Sequence, residues 1–477
     1  MKYDGFTECN SLKCVKMVAE AVTMKYAIVL AAGKGTRMKS NRNKVMHEIL
    51  HKPMIGHLVD HLEAVNTDKI VVVTGHQNEQ VESYLGDRVE YAFQSEQIGT
   101  GDAVLQAQQL HGKEGSTLLV FGDCALIQPE TLNHIYEQHE GHDLTVISAQ
   151  LQNPGTYRRI VRDNQGHIDR IIDYRNLTES EVSITEISLG IYCVNNELLF
   201  KYLPEIRDEE VTEEINLIRL VEILKKNGHS IQSLRVSDHQ EFLGVNDRMQ
   251  LNVSNKWLQS RVNAKHLANG VTIMDPQSTY IGTDVKIAED VTIYPNNHIY
   301  GNTTIGTGTT LLPNCWLEDA IVGENSTIDA SRIINSEVKD FVTLGPSSHL
   351  RMNTVVGSHA RVGNYVEFKN TQFGEHSNCA HLTYLGDAII GNKVNIGCGV
   401  VTVNYDGKKK YKTEVRDGAF VGSNANLIAP ITIGENAVVA AGSTVNGDVA
   451  DGEMAIARPR QENKPGYGAK YKNKEGK

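Results

Sequence analysis

The sequence predicts an α/β domain with a mostly parallel sheet, followed by a triangular parallel β-solenoid. Three observations carry this. From Tyr26 to about Val245, short apolar runs of strand length alternate with amphipathic stretches. Asn246 to Ala268 has helical spacing, and beyond Gly270 aliphatic residues recur every six positions. At 477 residues, and with roughly 150 residues per domain as a guide, the chain has room for two or three domains and sizeable cores.

Residues 1–23 contain no long apolar run, because Glu8, Lys13, Lys16 and Glu20 interrupt them, so neither a signal peptide nor a membrane span is expected. A second Met-Lys-Tyr begins at Met24. The preceding segment reads equally as an extension of unknown role or as a misassigned start. The 7 cysteines (Cys9, Cys14, Cys124, Cys193, Cys315, Cys379 and Cys398) are scattered and form no CxxC pair. This pattern fits a reducing cytosol and no zinc ribbon. A formal net charge of -11 argues against coating nucleic acid or an anionic membrane, so phosphorylated ligands need local cations. The expectation is a soluble, cytoplasmic protein acting on small molecules.

The strands of the first domain are expected at Ala27 to Leu30, Ile70 to Thr74, Thr117 to Phe121 and Leu144 to Ser148. Continuous apolar runs of this length imply a sheet covered on both faces. The helix that follows carries Leu251, Trp257, Leu258 and Val262 at helical spacing and stops at Gly270. It reads as a stiff connector. The six-residue register runs through Ile281, Ile287, Ile293, Ile299, Ile305 and Leu311. It resumes from Leu344 to Phe368, at Ile390 and Ile396, and from Val421 to Val445. Such a period fits a coil with three sides, one short strand and turn per side. Interruptions around Asn370 to Tyr384 and Val403 to Gly418 are expected to be loops ejected from the coil, where sites are built.

Three stretches carry chemistry. The first strand runs into Gly33-Lys-Gly35, with Arg37 and Lys44 beyond, so backbone amides and cations are available to phosphates. Asp123 follows the run ending at Phe121, at the strand edge where ligands of such sheets bind and where a carboxylate can hold Mg²⁺. His381, in Ala380-His-Leu-Thr-Tyr-Leu-Gly-Asp387, offers an imidazole for proton transfer, although a lone histidine is more often structural. Cys379, two residues earlier, admits a covalent acyl-thiol route.

The hexapeptide repeat resembles that of the left-handed parallel β-helix acyltransferases. With Leu30-Ala-Ala-Gly-Lys-Gly-Thr-Arg-Met38 it makes the chain from Met24 onward similar to the GlmU family. That family joins N-acetylglucosamine-1-phosphate uridyltransferase and glucosamine-1-phosphate N-acetyltransferase activities. The resemblance implies a Rossmann-like nucleotidyltransferase domain over 24–247, a linker helix over 248–269, a left-handed β-helix over 270–457 and a basic tail over 458–477. It makes His381 the catalytic base and gives the sugar phosphate to Arg351, Lys369, Tyr384 and Asn395. It gives acetyl-CoA to Asn404, Tyr405, Ser423, Ala441 and Arg458, with Cys398 where alanine is common. Asn404 to Lys410 adds three lysines near the pantetheine path. Tail lysines Lys464, Lys470, Lys472, Lys474 and Lys477 either reach the CoA 3'-phosphate or only solubilise. For uridylyl transfer it implies Leu30, Ala31, Ala32, Gly33, Arg37, Lys44, Gln94, Gly99, Thr100, Asp173 and Asn246, with Mg²⁺ on Asp123 and Asn246. It further implies direct attack on the thioester, a homotrimer and a product that feeds cell-wall synthesis.

The nucleotidyltransferase half departs from the family pattern. Asn43 stands for proline, Asp102 for histidine, Ala125 for proline, Arg158 for glycine, Asp173 for glutamate and Ser188 for asparagine, and Glu213 to Ile218 replaces a Tyr-Leu-Thr-Asp segment. In the other half, Met352 replaces a proline after Arg351. Three readings stand: intact uridylyl transfer, an altered sugar phosphate, or a weakened domain serving as a binding scaffold beside a working acetyltransferase. Survival of Gly33, Arg37, Lys44, Asp123 and Asn246 favours the first.

Overall fold

The computed structural model describes residues 23–208 and 216–471. Cys9, Cys14 and all but the last residue of the extension, residues 209–215 with the first three of the departing segment, and Lys472, Lys474 and Lys477 lie outside the described residues. The described residues fold as two compact units, one holding those up to His47 and from Pro53 to Gln250, the other Glu48–Lys52 and those from Leu251 onward. Among the described residues no helix is long and apolar enough to cross a membrane.

In the first unit the sheet runs in the order Ile231–Arg235, Leu144–Gln150, Glu186–Asn195, Ser116–Phe121, Lys25–Leu30, Lys69–Thr74 and Glu90–Phe93. Pairing is parallel except at Glu186–Asn195, which runs antiparallel to both neighbours. Alternate residues of the apolar runs enter opposite cores. Ile28, Val71 and Leu119 pack on one side, and Val29, Val72 and Val120 on the other. That two-sided burial is why these strands read as continuous apolar runs. The strands Lys25–Leu30, Lys69–Thr74 and Ser116–Phe121 all end at one edge, where the chain turns into the residues that line the site.

The second unit is a parallel β-helix. Its strands stack in parallel, with Tyr280 facing His298, Lys286 facing Thr304 and Thr292 facing Thr310, each 18 positions on. Three hexapeptides therefore make one coil, and the predicted register points inward: Ile281, Ile293, Ile299, Leu311, Leu350, Val362, Phe368, Val421, Leu427 and Val439 are each 0% exposed.

The first interruption is not an ejected loop. Asn370 to Tyr384 stays in the coil, largely as strands Gln372–Phe373 and Asn378–Gly386, and His381 faces Asn364 in register. The register breaks because Arg361 faces Asn378, 17 positions on, so the coil is one residue shorter. The second interruption does eject a loop. Ala388 faces Thr413, 25 positions on, and the surplus forms a small turn closed by the Tyr405–Lys410 bridge.

Helix Arg248–Ala268 is seated differently from expectation. Leu258 is buried, but so are Gln259 and Asn263, whose amides donate to Thr279 O at 2.8 and 2.9 Å. Amide hydrogen bonds to the turn at 276–279 hold the helix where an apolar stripe was expected. Gly270, at φ +87°, follows as the stop.

Candidate active sites

In the first unit a cavity of about 510 Å³ opens at the strand edge, and its lining includes Leu30, Ala31, Ala32, Gly33, Lys44, Gln94, Gly99, Thr100 and Asp123. Residues far apart in sequence, expected to serve uridylyl transfer, thus share one wall. Gly35 shapes the approach to Lys44. Its φ of +58° favours glycine, and a β-carbon there would strike Lys44 Cβ at 2.7 Å. Lys44 itself is presented by Asn43, which is buried and donates Nδ2 to His76 O (2.8 Å) and its backbone N–H to Gln80 Oε1 (2.8 Å). Hydrogen bonds here replace the rigidity of the family's proline.

Asp123 and Asn246 converge on one cation. The Lys44 ammonium forms an ion pair with Asp123 Oδ2 and donates to Asn246 Oδ1 at 2.9 Å, and Arg37 Nη2 donates to the same oxygen at 3.0 Å. The ammonium stands where a carboxylate and an amide oxygen would grip a hard divalent cation. These donors fit Mg²⁺ completed by phosphate oxygens and water.

Asp173 is not part of that cavity wall. Its carboxylate caps Tyr174–Asn176, accepts from Arg175 Nε at 2.8 Å and lies 3.8 Å from Arg158 Nε. The Arg175 hydrogen bonds outweigh partial burial and, with Arg158, hold its carboxyl below the usual range. Arg158 also faces Ser188 across an antiparallel pair. Three departures from the family pattern therefore meet at one place, and the introduced arginine is drawn towards the shortened acid.

In the second unit, Arg351 and Lys369 are register neighbours on adjacent coils, and Glu367, two positions before Lys369, faces Tyr384 on the next coil. Arg351 grips Glu367 Oε1 through Nε (2.9 Å) and Nη2 (2.6 Å). Lys369 is buried and shares its ammonium between the Asp387 oxygens at 3.1 and 3.0 Å. Burial acts against the Lys369 charge, but Asp387 outweighs it and holds the ammonium above its ordinary range. Burial likewise opposes the Asp387 charge, and hydrogen bonds from Asn370, Lys369 and Asn404 bring its carboxyl below the usual range.

Asn404 is thus buried on the Asp387 side, its amide given to that carboxylate. A β-carbon on Gly386 would collide with the Tyr384 hydroxyl and the Asn404 amide, so Tyr384, Asn404, Asp387 and Lys369 form one wall. Lys369 acts on Lys410 and pulls its ammonium below lysine's ordinary range. Asp387 and Glu367 were not singled out from sequence. The only signal was the position of Asp387 at the end of the His381 motif.

His381 is exposed, and Thr383 Oγ1 fixes its carbonyl at 2.7 Å. Cys379 faces the core with 0% exposure, and burial pushes its thiol up to about 12. A buried neutral thiol is a poor nucleophile, which favours direct attack over the acyl-thiol route. Asn395 is half-buried beside Asn378 in the same stack. Ser423 and Ala441 are exposed at one corner, with exposed Cys398 on the coil before. The Arg458 guanidinium donates to Ala441 O, and Tyr405 projects from the loop with its hydroxyl on Gly407 O at 2.7 Å. Of the described tail lysines, Lys470 lies over the Tyr467 ring at 4.6 Å and Lys464 lies 3.8 Å from Glu462.

Comparison with known proteins agrees with both halves. The MobA-like NTP transferase domain family matches residues 27–174, and the bacterial transferase hexapeptide (six repeats) family matches residues 412–447. The second match identifies the coil as the left-handed hexapeptide kind. Over 446 residues the chain is 44% identical to the bifunctional protein GlmU of Geobacillus sp. (strain WCH70), covering 93% of this chain and 97% of that protein. It is 43% identical over 452 residues to the GlmU protein of Halalkalibacterium halodurans, covering 94% and 99%. It is 42% identical over 455 residues to that of Listeria monocytogenes serovar 1/2a, covering 95% and 99%. The chain belongs to the bifunctional GlmU family.

Proposed function

We propose that the chain catalyses two successive steps of UDP-N-acetylglucosamine synthesis. The β-helix acetylates glucosamine-1-phosphate from acetyl-CoA. The α/β domain then transfers UMP from UTP to N-acetylglucosamine-1-phosphate and releases pyrophosphate. The observation that carries the reading is the gathering of Arg351, Lys369 and Lys410 beside the Asp387 and Tyr384 wall, with the cavity around Lys44 and Asp123 supporting the second half.

In acetyl transfer the sugar phosphate binds the cations Arg351 and Lys369, with Lys410 adding charge. His381 takes a proton from the substrate ammonium or from the tetrahedral intermediate. The amine nitrogen forms a bond to the thioester carbonyl carbon as the carbon–sulfur bond breaks, and CoA leaves as a thiolate that gains a proton. The corner of Cys398, Ser423 and Ala441, extended by Arg458, is the acetyl-CoA groove of this reading. A homotrimer is part of the same reading.

In uridylyl transfer Asp123 and Asn246 would hold Mg²⁺, which neutralises charge on the triphosphate. Lys44 and Arg37 then turn to the phosphates, and Gln94, Gly99 and Thr100 face the base. Pyrophosphate release from UTP with N-acetylglucosamine-1-phosphate and Mg²⁺ is the test. Turnover that falls at least a hundredfold in Asp123→Asn supports this half; wild-type release no higher than that of the variant leaves only the acetyltransferase.

A further inference from the structure

We infer that Asp102, which stands where the family carries histidine, is a positioning residue that fixes which end of the Gln94 amide faces the nucleobase. The inference rests on the uridylyl-transfer reading of this cavity and deepens it.

Gln94 follows the strand Glu90–Phe93, is 3% exposed and lines the cavity. Its Nε2 donates to Asp102 Oδ2 at 2.9 Å and to Gly99 O at 3.2 Å. Asp102 is itself 5% exposed, and its other oxygen accepts from Gln106 Nε2 at 3.4 Å. A carboxylate can only accept hydrogen bonds, and so can a backbone carbonyl. Rotating the Gln94 amide by half a turn would set Oε1 against two acceptor oxygens, which a buried site does not tolerate. Both Nε2 protons are therefore committed. Oε1 is left as the end offered to a ligand, and among the described residues it accepts no hydrogen bond.

A site that offers a fixed acceptor selects a base with an N–H at that edge. Uracil has N3–H there. Cytosine presents a bare ring nitrogen at N3, so two lone pairs would face each other. An asparagine at position 102 keeps the volume but can turn either end towards Gln94, so only the Gly99 carbonyl, at 3.2 Å, still opposes the rotation that would offer the Gln94 donor instead.

The experiment measures kcat and KM for UTP and for CTP in the full-length wild type, Asp102→Asn, Gln94→Ala and the double variant, alongside thermal midpoints. The expected result is a UTP-over-CTP preference that falls about tenfold or more in Asp102→Asn. The loss should lie in KM, with kcat for UTP and the thermal midpoint near wild type. The same substitution should add nothing on the Gln94→Ala background. An unchanged preference in a folded Asp102→Asn protein, or effects of the two substitutions that simply multiply, would overturn the inference. Comparable wild-type KM values for UTP and CTP would also overturn it without any variant. Absence of wild-type turnover with UTP would instead strike the uridylyl-transfer reading itself.

Discussion

Replacing Asp387 with asparagine should disable phosphate binding in the β-helix more than its shape suggests. Asp387 is 8% exposed and gathers the Lys369 ammonium at 3.0 and 3.1 Å, the Asn370 amide at 2.7 Å and the Asn404 amide. Asparagine matches its size but withdraws the charge and turns one acceptor into a donor among donors. Removing one partner of a buried ion pair costs about 3–5 kcal/mol, because the other charge is left uncompensated. Lys369 is 6% exposed and not fully enclosed, so the lower end, about 3 kcal/mol, is expected. About 1.4 kcal/mol corresponds to a factor of ten. If even half of the cost falls on phosphate binding, KM for glucosamine-1-phosphate rises about tenfold, with kcat less affected. The assay is steady-state release of the CoA thiol, paired with a urea midpoint for the same protein. A KM within twofold of wild type together with an unchanged urea midpoint would refute the reasoning. The pair's pH dependence has a defined sign. The lowered Asp387 carboxyl contributes stability that is present above its ordinary value of about 3.9 and is lost as pH falls through the lower folded value. The raised Lys369 ammonium contributes below about 10.4 and loses its part as pH rises through the higher folded value. Both are in force at neutral pH.

His381→Ala should lower kcat for acetyl transfer by about 10²–10⁴, the usual worth of a positioned base, while pyrophosphate release from UTP stays at the wild-type rate. His139, 2% exposed beside Thr145 Oγ1 at 2.9 Å, has its imidazole lowered by burial to about 4. Its neutral form is favoured in the fold, so stability is intact above about 6.5 and falls between there and about 4, by about 3 kcal/mol in full. His139→Gln should flatten urea midpoints across that window, and an equal acid loss in the variant would contradict the assignment. Arg158→Gly should change KM for the sugar phosphate in uridylyl transfer and leave KM for UTP unaltered, since Arg158 pairs with Asp173 away from the cavity that takes the nucleotide.

Much of this architecture is legible in the sequence because one force writes it. The interior of each coil admits an aliphatic side chain at one position in six, so Ile281 through Val445 announce the solenoid without help from any partner. The cavity of the first unit was legible for a different reason: Gly33 and Asp123 closely follow the ends of strands Lys25–Leu30 and Ser116–Phe121, where open sheets bind ligands. What stayed hidden depends on distances between coils. A coil one residue shorter looks the same as an ejected loop when only the period is read, so His381 was expected on a loop and lies on strand Asn378–Gly386. Asp387 gives no signal of its own, since its weight comes from Lys369 and Asn404, each one coil away. Gln259 and Asn263 mislead for a similar reason. Their amides are buried because they meet carbonyls at 276–279, and no periodicity marks that.

The most direct test of a two-step enzyme is whether its steps can be separated and rejoined. Full-length His381→Ala and Asp123→Asn proteins are each incubated with glucosamine-1-phosphate, acetyl-CoA, UTP and Mg²⁺, then mixed in equal amounts. The account predicts that neither alone forms UDP-N-acetylglucosamine at more than about one per cent of the wild-type rate, the lower end of what a positioned base supplies. The mixture should recover a large share of that rate, with N-acetylglucosamine-1-phosphate accumulating in the Asp123→Asn reaction. A mixture as inactive as its parts, or a His381→Ala protein that forms the product unaided, would contradict it.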